Sequence, residues 1–207
     1  MDQRFRIIAG VFGAAGAAAL VTQVGINMAR DSVGLLGAIW FLASFFTLLT
    51  NTLVATSFVW IAATGRRLSY DWMSTLTVSM IMVGGVYHAM LAHLHNFEGL
   101  SRLTDQMFHT IMPAMVLWFW LMETTRNAPR RGRPLLWLAW PAVYAVYMLV
   151  RGAATGWYPY PFFDPALASW GAVTQMLVVF MGGTAALAFV TDAIGQRMPL
   201  RPPPGNA

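Results

Sequence analysis

The sequence predicts an all-α polytopic membrane protein, a single bundle of six transmembrane helices spanning residues 1–207, and three observations carry that expectation. Hydrophobic residues make up 57% of the chain and charged residues only 10%, with a mean hydropathy of +0.57. Apolar runs long enough to cross a ~30 Å hydrocarbon layer at roughly 1.5 Å per residue recur along its whole length. The few charges sit between those runs, and every one of the 13 basic residues is Arg. Clusters of that kind at helix ends argue against a nucleic-acid partner and for a bilayer. With no Cys in the chain, disulfides, thiolate metal sites and Cys nucleophiles are excluded.

The expected spans are residues 7–29, 35–62, 72–94, 106–122, 135–150 and 169–190. The first starts behind a basic leader, Met1 to Arg6, and spaces Gly10, Gly13 and Gly16 by three, which lets a second helix approach closely. Its basic start and Ala-rich run also resemble a signal peptide; its length favours an uncleaved span. Arg30-Asp31 closes it, and Gly65-Arg66-Arg67 closes the second. A polar connection is expected over 96–104, a basic hinge over 126–133 and an aromatic, Pro-rich loop over 151–164. The tail, 198–207, reads as disordered. Residues 1–95 and 96–207 show no internal repeat.

Arg placement orients the bundle. With the N-terminus in the cytoplasm, Arg4, Arg6, Arg66, Arg67, Arg126, Arg130, Arg131, Arg133, Arg197 and Arg201 fall inside, and Arg30, Arg102 and Arg151 outside. That positive-inside bias returns both termini to the cytoplasm of, in all expectation, a bacterial inner membrane.

Polar residues in the second span mark a special face. Ser44, Thr47, Thr50 and Asn51 fall within an arc of about 120° at 100° per residue. Asn in hydrocarbon is costly, so the arc faces protein or a wet cavity; helix–helix glue, or back-bonding to carbonyls four residues earlier, is its plainer explanation. Tyr87 and His88, His93 and His95, and His109 gather towards the outer end. Asp105 stands one turn before His109 on the same face, and Pro113 four residues after it removes the N–H that would bond the His109 carbonyl. Tyr144, Tyr147 and Arg151 form an i, i+3, i+7 stripe on the fifth span. By rise alone Thr47 lies roughly 12 to 18 Å down its span and His109 near the start of its own, so the two are not level. The plainer readings are an interfacial or Asp105-paired His109, water-exposed His88, His93 and His95, a snorkelling Arg151, and an aromatic belt over Trp157 to Phe163.

Three motifs in order, Phe-Phe-Thr47-x-x-Thr-Asn51, His109-Thr-x-x-Pro113 and Arg151-Gly-x-x-x-Gly156-Trp-Tyr158-Pro-Tyr160-x-Phe-x-Asp164, resemble the androgen-induced-gene and androgen-dependent TFPI-regulating protein family, with its bacterial six-span relatives. The resemblance covers nearly the whole chain. It departs at Thr50 or Asn51, where animal members carry an Asp, and in a His-to-Pro spacing shorter by one. It implies an intramembrane hydrolase of fatty acid esters of hydroxy fatty acids, with Thr47 as nucleophile and His109 as base, no cofactor and no metal. Its partners would be membrane lipids and a hydrophobic ester drawn from the bilayer.

The chemistry is coherent with that assignment. A threonine hydroxyl needs a base, and an imidazole titrating near neutrality supplies one. Asp105 is placed to orient His109. Asn51, and less directly Arg151 and Tyr158, are the candidates to stabilise an oxyanion; Thr50, Tyr87, His88 and Tyr147 are the candidates to contact substrate. Two other classes compete. Four histidines could ligate haem, although all lie in the outer half. A non-catalytic lipid-binding or transport protein would use the same outer polar cavity without turnover. Absorbance of the purified protein separates the first, and turnover in Thr47 variants the second.

Overall fold

The computed structural model describes residues 3–94, 96–124 and 132–199. His95, the basic hinge up to Arg131 and the tail from residue 200 onward lie outside the described residues. Those described form an all-helical bundle in which five helices are long and apolar enough to cross a membrane: Gln3–Asp31, Phe46–Thr64, Tyr70–Leu94, Pro134–Thr155 and Pro165–Arg197. Their outward faces carry bare hydrocarbon, with Leu167 74%, Val21 73% and Val178 67% exposed. In water such surfaces would aggregate; in a bilayer they face acyl chains. This is the fold of a multi-pass membrane protein.

Helix α1 (Gln3–Asp31) lies along α3 (Phe46–Thr64). The glycine stripe makes that approach possible: a Cβ on Gly10 would meet Ala62, one on Gly13 would meet the Val59 backbone nitrogen at 2.9 Å, and one on Gly16 would meet Ala55 at 3.1 Å. Arg6 reaches across to the Ala62 and Ala63 carbonyls at 3.0 and 3.3 Å, placing a cation on the carbonyl end of α3 where the helix dipole favours it. Gly65, in the left-handed region at φ 68°, ends α3 by the usual glycine C-cap.

The second span is two helices and not one. Helix α2 (Leu35–Leu42) stops, the chain tightens through Ala43, Ser44 and Phe45, and α3 begins at Phe46. Ser44 N–H bonds the Phe41 carbonyl at 3.0 Å and Phe45 N–H the Leu42 carbonyl at 3.1 Å, so i→i+3 bonds replace i→i+4 bonds and strand other carbonyls. In an apolar layer each orphan would cost several kcal/mol. Helix α7 (Ala139–Thr155) supplies the missing donors: Tyr144 to the Ser44 carbonyl at 2.7 Å, Tyr147 to the Ala43 carbonyl at 3.1 Å and Arg151 to the Trp40 carbonyl at 2.8 Å. The Arg151 guanidinium also lies over the Trp40 ring, 3.8 Å from its centroid. The aromatic-and-Arg stripe is thus the brace of a broken helix.

Helix α4 (Tyr70–Val86) starts on a Ser69 cap and runs through the centre of the bundle, burying Ser74, Thr75, Thr77 and Ser79 beside Met73, Leu76, Val78 and Met80. It continues as a π-turn, Tyr87–Leu91, and a 3-10 turn, Ala92–Leu94. The fourth span is longer than its apolar run. Helix α5 (Gly99–Gln106), a π-turn Met107–Ile111, helix α6 (Met112–Phe119) and a second π-turn Trp120–Thr124 follow without a break. The expected polar connection over 96–104 is therefore helical from Gly99. Its leucines point outwards, Leu100 62% and Leu103 54% exposed, while Thr104 and Asp105 are buried. A 3-10 turn, Pro134–Leu138, precedes α7, which extends through Arg151 to Thr155 and stops at Gly156, φ 71°. After the Trp157–Asp164 loop, α8 begins at Pro165 behind an Asp164 cap and ends at Arg197, with one non-helical residue, Ser169, inside it.

Tryptophan N–H groups join these helices through small hydroxyls: Trp72 to Ser57 at 3.0 Å, Trp120 to Ser74 at 2.8 Å and Trp140 to Thr50 at 3.0 Å. Each satisfies two polar groups inside an apolar bundle.

Candidate active site

Thr47 and His109, 62 positions apart, meet at 3.4 Å between Oγ1 and Nε2. Two features of the fold remove the expected difference in depth. Span four begins at Gly99, so His109 is ten residues, roughly 15 Å, into its helix. Thr47 sits twelve residues beyond the start of α2, roughly 18 Å along, and the turn at Ala43–Phe45 shortens that path.

The same turn frees the Thr47 hydroxyl. Other threonines on these helices return their hydroxyls to the carbonyl four residues back: Thr52, Thr56, Thr64, Thr75, Thr77 and Thr184, at 2.7 to 2.8 Å. Thr47 is the second residue of α3, and the carbonyl at Ala43 lies outside that helix and belongs to Tyr147. Back-bonding is closed to it, and its hydroxyl turns to the imidazole. Thr47 is nevertheless only 8% exposed.

His109 is held on three sides. Its Nδ1 faces the Asp105 carboxylate, Oδ1 at 3.1 Å, and the Asp105 carbonyl at 3.0 Å. Both are acceptors, so Nδ1 carries the proton and the lone pair of Nε2 points at Thr47. Tyr87 stacks on the imidazole, ring centroids 3.9 Å apart and 13° from parallel, and donates its hydroxyl to Asp105 Oδ2. Tyr87, Asp105, His109 and Thr47 form one chain of contacts. Tyr87 and His109 each lie in a π-turn. Pro113 has no N–H for the His109 carbonyl, and the helix resets by bonding Met112 N–H to the Met107 carbonyl. The released His109 carbonyl abuts Gly84 of α4, where a Cβ would meet it at 3.0 Å.

The pair opens onto a cleft whose polar lining, among the described residues, is Thr47, Tyr87, His109, Tyr144, Tyr160 and Thr184. The remaining wall is hydrocarbon and aromatic: Met82, Val83 and Val86 of α4, Met148 of α7, Leu177 and Phe180 of α8, with Phe162 and Phe163 from the loop. Such a lining suits an acyl chain, with few polar groups to hold an ester.

Most other sequence candidates stand outside this lining. Asn51 is fully buried and gives its amide to the Thr47 carbonyl at 2.9 Å; it secures the first turn of α3 and is not aimed at the cleft as an oxyanion donor. Thr50 accepts from Trp140 and is glue between α3 and α7. Tyr147 and Arg151 brace the helix break. Tyr158 packs against Gly152, where its ring occupies the space a Cβ would need. His88 is exposed and pairs with Thr110 at 3.0 Å. The sequence did not single out Tyr144 or Tyr160 as cleft residues: Tyr144 stood in the stripe of the fifth span, and Tyr160 in the motif after it and in an aromatic belt.

Among the described residues no group of three or more His, Asp or Glu is arranged to hold a metal ion. No family model, no curated protein and no solved structure matches the chain.

Proposed function

We propose that the protein is an intramembrane threonine-dependent hydrolase of lipid esters, of the kind its sequence motifs resemble, acting on fatty acid esters of hydroxy fatty acids or similar long-chain esters. The observation that carries this reading is the orientation of one hydroxyl: Thr47, barred from helix back-bonding, faces Nε2 of a carboxylate-paired histidine on the wall of a largely apolar cleft. Nucleophile, base and orienting acid stand in the order that acyl transfer needs. A separation of 3.4 Å between nucleophile and base is within the looseness of a site without substrate, which tightens on binding.

Thr47 Oγ1 attacks the ester carbonyl carbon while His109 Nε2 takes its proton. The imidazolium that results is stabilised by Asp105, which needs no proton of its own. Collapse of the tetrahedral intermediate expels the alcohol, protonated by His109, and leaves acyl-Thr47. Water, again deprotonated by His109, then releases the fatty acid. The dry wall excludes competing water from the ground state and strengthens each charge interaction in it.

The topology we propose has six crossings, the sixth being the helical run Gly99 to Thr124. Both termini are cytoplasmic, in a bacterial inner membrane, with substrate entering from the outer leaflet. The alternation of Arg-rich and Arg-poor connections supports it. Reporter fusions after Arg67 and Arg133 should read cytoplasmic and one after Arg102 external.

The decisive assay uses purified protein in nanodiscs with long-chain hydroxy-fatty-acid esters. Thr47→Val and His109→Ala should each nearly abolish turnover, and the double variant should cost little more, because a catalytic unit fails as a unit. A fluorophosphonate probe should label wild type and not Thr47→Val. Full turnover in Thr47→Val would refute Thr47 as the nucleophile, and no turnover in wild type would leave a lipid-binding cleft without catalysis.

A further inference from the structure

We propose that Tyr160 is a third catalytic residue of this site, donating its phenolic O–H to the ester carbonyl oxygen as that oxygen becomes an anion; the inference rests on the hydrolase reading above. Acyl transfer requires donors facing the nucleophile from the substrate side. Asn51, the donor nearest in sequence, is spent on the Thr47 carbonyl. The cleft wall in front of Thr47 carries instead Tyr160, whose hydroxyl lies beside the Thr47 side chain, the backbone of Phe46 and Thr47, and the Tyr144 hydroxyl. Tyr144 has already given its proton to the Ser44 carbonyl at 2.7 Å, so towards Tyr160 it presents lone pairs. Tyr160 thus keeps an O–H facing the hydroxyl oxygens of Tyr144 and Thr47, a place that a substrate oxygen can take.

The backbone here adds a second element. Leu49 N–H takes the Phe45 carbonyl as the first hydrogen bond of α3, so the Phe46 and Thr47 amides precede the helix ladder and have no helical carbonyl to bond. They point into the same space as the phenol. A carbonyl carbon placed about 3 Å from Thr47 Oγ1 puts its oxygen among these donors. The ring that carries the hydroxyl is fixed on several sides: Phe162 stacks on it at 5.5 Å, Phe45 meets it edge-on at 6.2 Å and Phe163 at 6.3 Å.

In the step itself Thr47 Oγ1 bonds to the carbonyl carbon and the C=O π pair becomes a third lone pair on oxygen. That oxygen accepts from Tyr160 and the amides; the nucleophile's proton resides on His109. When the C=O bond re-forms the ester C–O bond breaks, the alkoxide takes the proton from His109, and Tyr160 retains its own. The phenol transfers no proton and is needed twice, once for acylation and once for the attack of water.

The test is Tyr160→Phe, which keeps the ring, in nanodiscs with the long-chain ester assay. Expected are a fall in kcat of about 10²- to 10³-fold, KM within about threefold, and an unchanged melting temperature. A trifluoromethyl ketone carrying the same acyl chain, which adds to Thr47 as a hemiketal, should lose affinity by the factor seen in kcat/KM. A non-reactive ether analogue should bind as before. Wild-type kcat in Tyr160→Phe, with Thr47→Val inactive, would overturn the role of Tyr160 and leave the hydrolase intact. No turnover and no Thr47 adduct in wild type would overturn both. Should Tyr160→Phe fail to fold, incorporation of a difluorotyrosine in place of Tyr160 keeps shape and makes the phenol more acidic. Turnover should then fall at alkaline pH as the phenol ionises and loses its proton, and a pH profile identical to wild type would overturn the proposal.

Discussion

Replacing Arg151 separates the bracing of the helix break from chemistry on substrate. Arg151 is 8% exposed, gives one N–H to the Trp40 carbonyl at 2.8 Å, and lies 3.8 Å over the Trp40 ring. In Arg151→Met the stem is roughly preserved and both interactions vanish. A hydrogen bond from a charged donor is worth about 1.5 to 3 kcal/mol, and a desolvated cation–π contact about 0.5 to 2 kcal/mol. The variant should lose roughly 2 to 5 kcal/mol, the two contributions taken together. For a chain of this size that corresponds to a fall in melting temperature on the order of 5 to 20 °C. Arg151→Lys keeps the charge but not the planar fork and should recover less than half of it. The measurement is thermal unfolding in nanodiscs beside ester turnover per folded molecule at a temperature where both proteins are folded. Tyr144 and Tyr147 still hold the Ser44 and Ala43 carbonyls, so Thr47 stays in place and turnover should remain within about threefold. An unchanged melting temperature with turnover abolished would refute the bracing role and make Arg151 a residue that acts on substrate.

Two further outcomes follow from the geometry. Asp105→Asn should cost more activity than Asp105→Ala, about 10³- to 10⁴-fold against tens-fold, measured as kcat/KM on one ester: with the Tyr87 hydroxyl donating to its oxygen, the new amide turns N–H towards His109 Nδ1 and reverses the tautomer, whereas Ala leaves the Asp105 carbonyl to accept from Nδ1; equal or inverted losses would sink the argument. Gly13→Ala should destabilise the α1–α3 contact, since its Cβ would stand 2.9 Å from the Val59 nitrogen, by roughly 1 to 3 kcal/mol, with the melting temperature as readout and Gly25→Ala, where nothing lies within 4 Å, as the control that should not fall.

Composition and long apolar runs were sufficient to establish an all-helical membrane bundle, because uninterrupted apolar runs of about twenty residues satisfy their backbone in lipid as helices, whereas the strands of a barrel are about ten residues long and alternate in polarity. Local spacing was sufficient for contacts along one helix or one face: Asp105 beside His109, the Gly10-Gly13-Gly16 seam, the α7 stripe and the inward arc of Ser44, Thr47, Thr50 and Asn51. What those features do was decided in three dimensions. Nothing between Ala43 and Phe45 reads as a helix end; there is no Gly and no Pro. The break exists because Tyr144, Tyr147 and Arg151, a hundred residues on, take the carbonyls it strands, and a donor that distant leaves no local trace. Once the helix is broken there, Thr47 becomes a first-turn residue, loses its back-bonding acceptor and turns to His109. The start of span four at Gly99 was hidden for a related reason: its buried face is polar and its leucines face outwards, the reverse of the pattern that water imposes on a helix. Tyr160 joined the site through the path of a loop, and a loop's path is set by what it packs against.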